Sequence, residues 1–209
     1  MSGIWTKICG ITQAEDAKAV ANLGADAVGL NLYPGSPRVV AVEDCAKIMA
    51  PLPSTLRRVA LFVNPTAEEV GNAVAIADFD LLQFHGDEPA IFCEQFGLPY
   101  MKAIRVRDFD QAEQEMQAYD SAEKILLDRY QEKVPGGTGK TFDWSIARRL
   151  VEASDQEIVL AGGLDATNVR LAIELVKPFG VDVSSGVELS PGIKDLVAMK
   201  QFIESRKSV

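Results

Sequence analysis

The amino-acid sequence predicts an α/β chain folded as a single-domain (β/α)8 barrel, the TIM barrel, over residues 1–209. Short β-branched runs alternate with stretches of helical period through eight pairs, and the connections are short. Strict alternation of this kind demands a parallel sheet covered by helices, and eight units favour closure. The open doubly wound sheet is weakened as a rival because the first strand runs into Cys9-Gly-Ile-Thr12, with no Gly-x-Gly-x-x-Gly turn. Such barrels usually take about 250 residues and rarely under about 200. At 209 residues this is a minimal one, without large loop insertions.

The strands read in order as Trp5 to Ile8, Ala27 to Leu32, Arg58 to Val63, Leu81 to Phe84, Tyr100 to Val106, Lys124 to Asp128, Glu157 to Ala161 and Val181 to Ser184. Helix starts are marked by residues able to satisfy the free amides of a first turn. Thr12 with Glu15, and Thr66 with Glu69, are Thr-x-x-Glu capping boxes. Asp87, Asp108 and Asp165 read as further N-caps, and Gly24 as a left-handed cap ending the first helix. No Ser/Gly-rich linker or charge block interrupts the series.

Composition narrows the partners. With 47% hydrophobic and 24% charged residues the chain reads as one soluble domain able to bury its own core. Its formal net charge of -9, without a dense Lys/Arg cluster, argues against nucleic acid and anionic membrane surfaces. Apolar runs such as Glu157 to Leu164 fall far short of the roughly 20 residues of a membrane helix. The N-terminus lacks the pattern of a secretory signal, and Cys9, Cys45 and Cys93 form an odd, scattered set, so a reducing cytoplasmic setting is expected. One histidine, His85, and no paired cysteines set aside a structural zinc site or a zinc protease. Monomer and dimer both stay open, with a monomer favoured.

In a barrel the reactive groups sit where strands end. Strand seven ends in Gly162-Gly163 and strand eight in Ser184-Ser185-Gly186, ahead of a short helix expected at Gly192 to Asp195. Small residues let backbone amides approach an anion, and glycine-rich exits on adjacent strands fit a phosphate pocket. Any one of these glycines alone would read as a simple turn. Gly139-Lys140-Thr141 imitates the end of a nucleotide P-loop, but Val134 occupies the place of its first glycine, which rejects an NTPase. The run Pro135 to Gly139 reads instead as a loop able to fold over a bound ligand.

Period two along strand one turns Ile4, Thr6 and Ile8 to one face and Trp5, Lys7 and Cys9 to the other. Lys7 and Cys9 then point into the barrel, with Cys9 at the catalytic end. Asp128 terminates the apolar run of strand six at the same end. Taken singly, a strand cysteine is usually inert and a terminal aspartate usually caps a loop. Paired across a barrel mouth, they can serve as base and acid in an isomerisation. A thiol with a free pKa of about 8.5 is mostly protonated at neutral pH, so Cys9 needs a cation such as Lys7 beside it. Asp128 must keep a proton, which partial burial favours. Arg38, between stiffening prolines 34 and 37 and strand three, has the planar fork suited to a carboxylate.

Lys7-Ile-Cys-Gly-Ile-Thr12, Ser36-Pro-Arg38, Leu61-Phe-Val-Asn64, Gln83-Phe-His-Gly-Asp-Glu88, Leu127-Asp128, Gly136-Gly-Thr-Gly139, Phe142-Asp-Trp144, Ala161-Gly-Gly-Leu164 and Asp182-Val-Ser-Ser-Gly-Val-Glu188 follow one another along the chain. In this order and over essentially the whole length, the sequence resembles the phosphoribosylanthranilate isomerases of tryptophan biosynthesis. The resemblance implies a small phosphosugar substrate and an Amadori rearrangement needing no metal or organic cofactor. It implies Asp128 as acid and Cys9 as base, Arg38 against the anthranilate carboxylate, and Gly162, Gly163, Ser185 and Gly186 around phosphate. Strand two reads Gly29-Leu-Asn-Leu-Tyr33 where a Phe-rich version belongs to the pattern, and His85 has no assigned chemistry. Two alternatives are another phosphosugar isomerase on the same barrel, which would want aspartate in place of Cys9, and a non-catalytic phosphate-binding barrel.

Overall fold

The computed structural model describes residues 3–129 and 143–206. Eight parallel strands follow chain order: β1 (Trp5–Cys9), β2 (Ala27–Asn31), β3 (Arg57–Phe62), β4 (Leu81–Phe84), β5 (Tyr100–Val106), β6 (Lys124–Arg129), β7 (Glu157–Leu160) and β8 (Gly180–Val183). β8 pairs with β1 and closes the barrel. Around it lie α1 (Ala14–Leu23), α2 (Val42–Met49), α3 (Ala67–Ile76), the short α4 (Ala90–Cys93), α5 (Phe109–Gln117), α6 (Trp144–Ala153), α7 (Val169–Val176) and α8 (Leu196–Arg206). The expected strands are each found to within a residue or so at either end.

Two-residue periodicity sorts the side chains into an inner and an outer core. Ala27, Val59, Leu81, Met101, Ala103, Leu126 and Val159 fill the barrel interior. Their neighbours along the strands, among them Ile8, Val28, Ala60, Leu82, Ile104, Leu127 and Leu160, pack outward beneath the helices. Near the amino-terminal end the interior is closed by Trp5. A Cβ added to Gly180 would stand 2.8 Å from that ring, so this barrel floor requires glycine on the adjacent strand.

Local signals met mixed fates. Thr66 and Glu69 form the reciprocal capping box of α3, Asp108 accepts from the Gln111 amide at the start of α5, and Gly24 ends α1 with φ of 79°. Asp165 is not the N-cap of α7, which is Asn168; its carboxylate gathers the Thr167 and Asn168 amides one turn earlier. The box expected at Thr12 and Glu15 is absent: α1 is preceded by Gln13, and the Thr12 hydroxyl donates instead to the Gly192 carbonyl at 2.5 Å. Asp87 caps no helix either, since Pro89 precedes α4 and the Asp87 amide is engaged by Asn64 Oδ1.

The short helix expected at Gly192 to Asp195 is a hairpin of β9 (Glu188–Ser190) and β10 (Ile193–Lys194). Pro191 followed by Gly192, with φ of +83°, reverses the chain there. The single helical turn of this region lies earlier, at Ser185–Val187. Among the described residues no helix is long and apolar enough to cross a membrane.

Because the Thr66 box serves only its own helix, Thr66→Ala should lower unfolding free energy by about 1 kcal/mol in urea titration. A change below ~0.3 kcal/mol would show that the box contributes nothing to stability.

Candidate active site

A cavity of about 620 Å³ opens at the carboxyl ends of the strands, and Cys9, Arg38, Asp128, Gly162, Gly163, Ser185 and Gly186 all line it. The sequence had placed these side chains on five different strand exits, and closure of the sheet brings them to one space. The run 135–139 lies outside the described residues.

On the β1 side, Lys7 is fully buried and its Nζ donates to Asp182 Oδ1 at 2.9 Å. Lys7 and Asp182 are direct register partners on β1 and β8. Cys9 is the next inward residue of β1, 6% exposed at the cavity floor. Gly29 on the adjacent strand makes the arrangement possible, because a Cβ there would stand 2.8 Å from Lys7 Cε and 2.9 Å from the Cys9 sulfur. Burial alone would push the Lys7 ammonium down, yet facing Asp182 holds it above its ordinary value. The Cys9 thiol is pushed up, first by burial and further by Asp182, against the opposing pull of Lys7 and Lys194. The cationic neighbour expected for Cys9 is therefore present, but burial outweighs its pull, and the resting sulfur carries its proton.

Across the mouth, Asp128 Oδ1 accepts from the Arg129 amide at 2.7 Å and Oδ2 lies 3.1 Å from His85 Nε2. Gln83 Nε2 is 3.1 Å from His85 Nδ1, so the amide donates, Nδ1 accepts, and Nε2–H is left to donate to Asp128. A Cβ on Gly162 would stand 2.6 Å from Asp128 Oδ1, and the φ of +80° there suits glycine alone. His85 itself is held by its loop: buried Glu88 accepts from the amides of Asn64 and Gly86 and from Lys102 Nζ at 2.8 Å.

These contacts correct the expected state of Asp128. Burial does push its carboxyl up, but the His85 hydrogen bond, the Arg129 amide and nearby Arg105 together outweigh it and hold the group below the ordinary aspartate value. In the ligand-free protein Asp128 is ionised at neutral pH.

Arg38 reaches the cavity over Gly10, whose missing side chain leaves room for the arginine Cδ. Its Nε and Nη2 face the carboxylate of Glu188, with Nη2 to Oε2 at 2.7 Å. Asn31, the departure on strand two, braces the same loop: its Nδ2 donates to Ser36 Oγ, which also accepts the Arg38 amide. Asp182, Gln83, Glu188 and Lys194 are site residues to which the local sequence, though it carries the first three in the motifs quoted above, assigned no role. Period two along β4 and β8 could have flagged the first two, because it turns polar side chains into a barrel interior. Among the described residues no three His, Cys, Asp or Glu side chains converge to hold a metal ion.

A model of the N-(5'-phosphoribosyl)anthranilate (PRA) isomerase family matches residues 6–205. The chain belongs to this family. The N-(5'-phosphoribosyl)anthranilate isomerase of Pseudomonas fluorescens strain Pf0-1 is 47% identical over 205 residues, covering 98% of this chain and 99% of the relative. The crystal structure of phosphoribosyl anthranilate isomerase from Thermotoga maritima is similar with a TM-score of 0.90 at 38% identity, over 99% of this chain and 100% of that one. A further isomerase structure, a complex with reduced 1-(o-carboxyphenylamino)-1-deoxyribulose 5-phosphate, has a TM-score of 0.87 at 37% identity, over 99% and 100%. Membership in the isomerase family makes the chain an enzyme, and its barrel carries the cavity just described.

Lys7→Met removes one cation beside Cys9 and leaves Asp182 facing the sulfur, so the thiol should ionise at higher pH than in the wild type. Alkylation by iodoacetamide, followed at Cys9 by mass spectrometry across pH, reads this directly; an unchanged or lowered midpoint would contradict the electrostatic assignment.

Proposed function

We propose that the protein catalyses the cofactor-free Amadori rearrangement of N-(5'-phosphoribosyl)anthranilate to 1-(2-carboxyphenylamino)-1-deoxyribulose 5-phosphate, in tryptophan biosynthesis. The observation that carries this reading is that one cavity is lined by a thiol, a carboxyl group and an arginine together with the glycine-rich exits of β7 and β8. The analogue bound by the related isomerase contains a carboxylate and a phosphate. Its two ends match the two anion-seeking parts of this cavity.

Asp128 gives a proton to the ribose ring oxygen as the C1–O bond breaks, and the anilino nitrogen lone pair forms the C1=N bond of a Schiff base. The Cys9 thiolate then takes the proton from C2, and the C2–H electron pair becomes the double bond of an enolamine that tautomerises to the ketone. Gly162, Gly163, Ser185 and Gly186 surround the phosphate, where small side chains leave backbone amides within its reach. Arg38 meets the anthranilate carboxylate. His85 acts on Asp128, orienting it through Nε2–H.

The resting protonation states are the reverse of those the reaction uses. The productive form differs from the resting one by a proton moved from sulfur to carboxylate, with no net uptake or loss. Below the depressed Asp128 pKa, both groups are protonated and Cys9 must shed a proton, so the rate falls as pH falls. Above the raised Cys9 pKa, both are ionised and Asp128 must gain one, so the rate falls as pH rises. Thus kcat/KM, which reports the free enzyme, should be flat across neutrality, with its acid limb below the ordinary carboxylate range. A maximum confined to a narrow range near neutrality would contradict this assignment.

Turnover is followed by the loss of anthranilate-type fluorescence from the phosphoribosyl substrate. Cys9→Ala and Asp128→Asn should each reduce kcat by roughly 10²- to 10⁴-fold. Near-normal turnover in both would sink the assigned proton transfers. Arg38→Ala should act chiefly on KM, and an unchanged KM would count against its carboxylate contact.

A further inference from the structure

Outside the acid and base, a buried charge cluster ties together three parts of the cavity rim. Lys194 Nζ, with its side chain fully buried, donates to Glu188 Oε1 at 2.8 Å, to the Cys9 carbonyl at 2.6 Å and to the Ser184 carbonyl at 3.1 Å. An ammonium has three hydrogens, and these three acceptors account for all of them. Lys194 therefore has none left for a ligand, although it lies directly behind the catalytic strand.

Glu188 is likewise buried, its side chain 4% exposed. Beyond Lys194, it faces Arg38 Nε at 2.9 and 3.1 Å and Nη2 at 2.7 Å, which is the side-on edge of the guanidinium. Arg38 has no other side-chain hydrogen bond among the described residues and lines the cavity, so its remaining donors, on Nη1 and the far side of Nη2, form a second, end-on fork. Two cations and one anion leave the cluster with a net single positive charge.

We propose that Glu188, fixed by Lys194, is a positioning residue that locks the side-on edge of Arg38 and presents the end-on fork to the substrate carboxylate. This rests on the reading of the cavity given above. Lys194 refers that fork to the backbone of Cys9 and Ser184, so the carboxylate contact, the base and the β8 phosphate loop share one fixed frame. Glu188 thereby makes the site selective for a carboxylate at one distance from the sugar, with no contact of its own to the substrate.

The test uses the full-length protein and N-(5'-phosphoribosyl)anthranilate. Glu188→Gln keeps the side-chain volume but offers one acceptor oxygen to two cations, so Arg38 loses its fixed orientation. KM should rise roughly tenfold while kcat stays within about threefold, and inhibition by inorganic phosphate should be unchanged. In an Arg38→Met background the same substitution should leave KM unaltered, a coupling that a purely structural role would not produce. Should Glu188→Gln fail to fold, Glu188→Asp keeps the charge but shortens the reach, and the same rise in KM with the same dependence on Arg38 is expected. An unchanged KM, a loss confined to kcat, or full additivity with Arg38→Met would overturn the proposal. A wild-type protein that does not convert this substrate would instead refute the functional reading on which it rests.

Discussion

A fully buried ammonium cannot be left alone in a barrel interior, and the pairing of Lys7 with Asp182 is the constraint around which the catalytic end is built. The two residues are register partners on β1 and β8, so the ion pair forms at the seam where the sheet closes on itself. It occupies space that Gly29 leaves open on the neighbouring strand. One step further along β1, Cys9 inherits the environment of that pair: a cation within reach, an anion behind it and almost no water. Removing either partner would strand a charge beneath the thiol.

The opposite wall follows a different logic. Asp128 stands at the end of an apolar strand but is surrounded by donors, from His85, the Arg129 amide and the nearby guanidinium of Arg105. A thiol kept neutral by burial thus faces a carboxylate kept charged by hydrogen bonds. The arrangement suits a substrate with negative charge at both ends, because two resting anions at the cavity floor would oppose its entry. Under the proposed acid and base roles, its cost is that the reactive pair is populated only through an internal redistribution of one proton. The Arg38–Glu188–Lys194 cluster provides the compensating positive charge at the rim without placing a loose cation beside the sulfur.

Sequence periodicity carried most of the architecture. The eight strands and their closure were legible because an inward and outward alternation leaves a two-residue signature, and Cys9 and Asp128 were legible because they end such runs. What escaped was set by contacts between distant segments. Thr12 has the pattern of a helix cap, but its hydroxyl is taken by the carbonyl of Gly192, which folds back over β1. Lys194 sits in the segment 192–195 that the local sequence suggested as a helix, Glu188 lies on the other arm of the hairpin found there, and their partners lie on three other segments. The charge of Asp128 was misjudged because burial could be guessed from the strand, whereas His85 arrives from β4. Gln83 shows the same limit: its role is visible only once its amide is seen to hold His85.

The proposed roles put the sulfur at C2 and the carboxyl group at the ring oxygen, the two atoms that flank C1 of one sugar. A crystal structure of this protein with reduced 1-(o-carboxyphenylamino)-1-deoxyribulose 5-phosphate tests this placement most directly. Cys9 Sγ should face sugar C2 and an Asp128 oxygen the C4 hydroxyl, each at about 3–3.5 Å. A ligand seated with either group beyond about 5 Å of its atom, or bound outside this cavity, would contradict it.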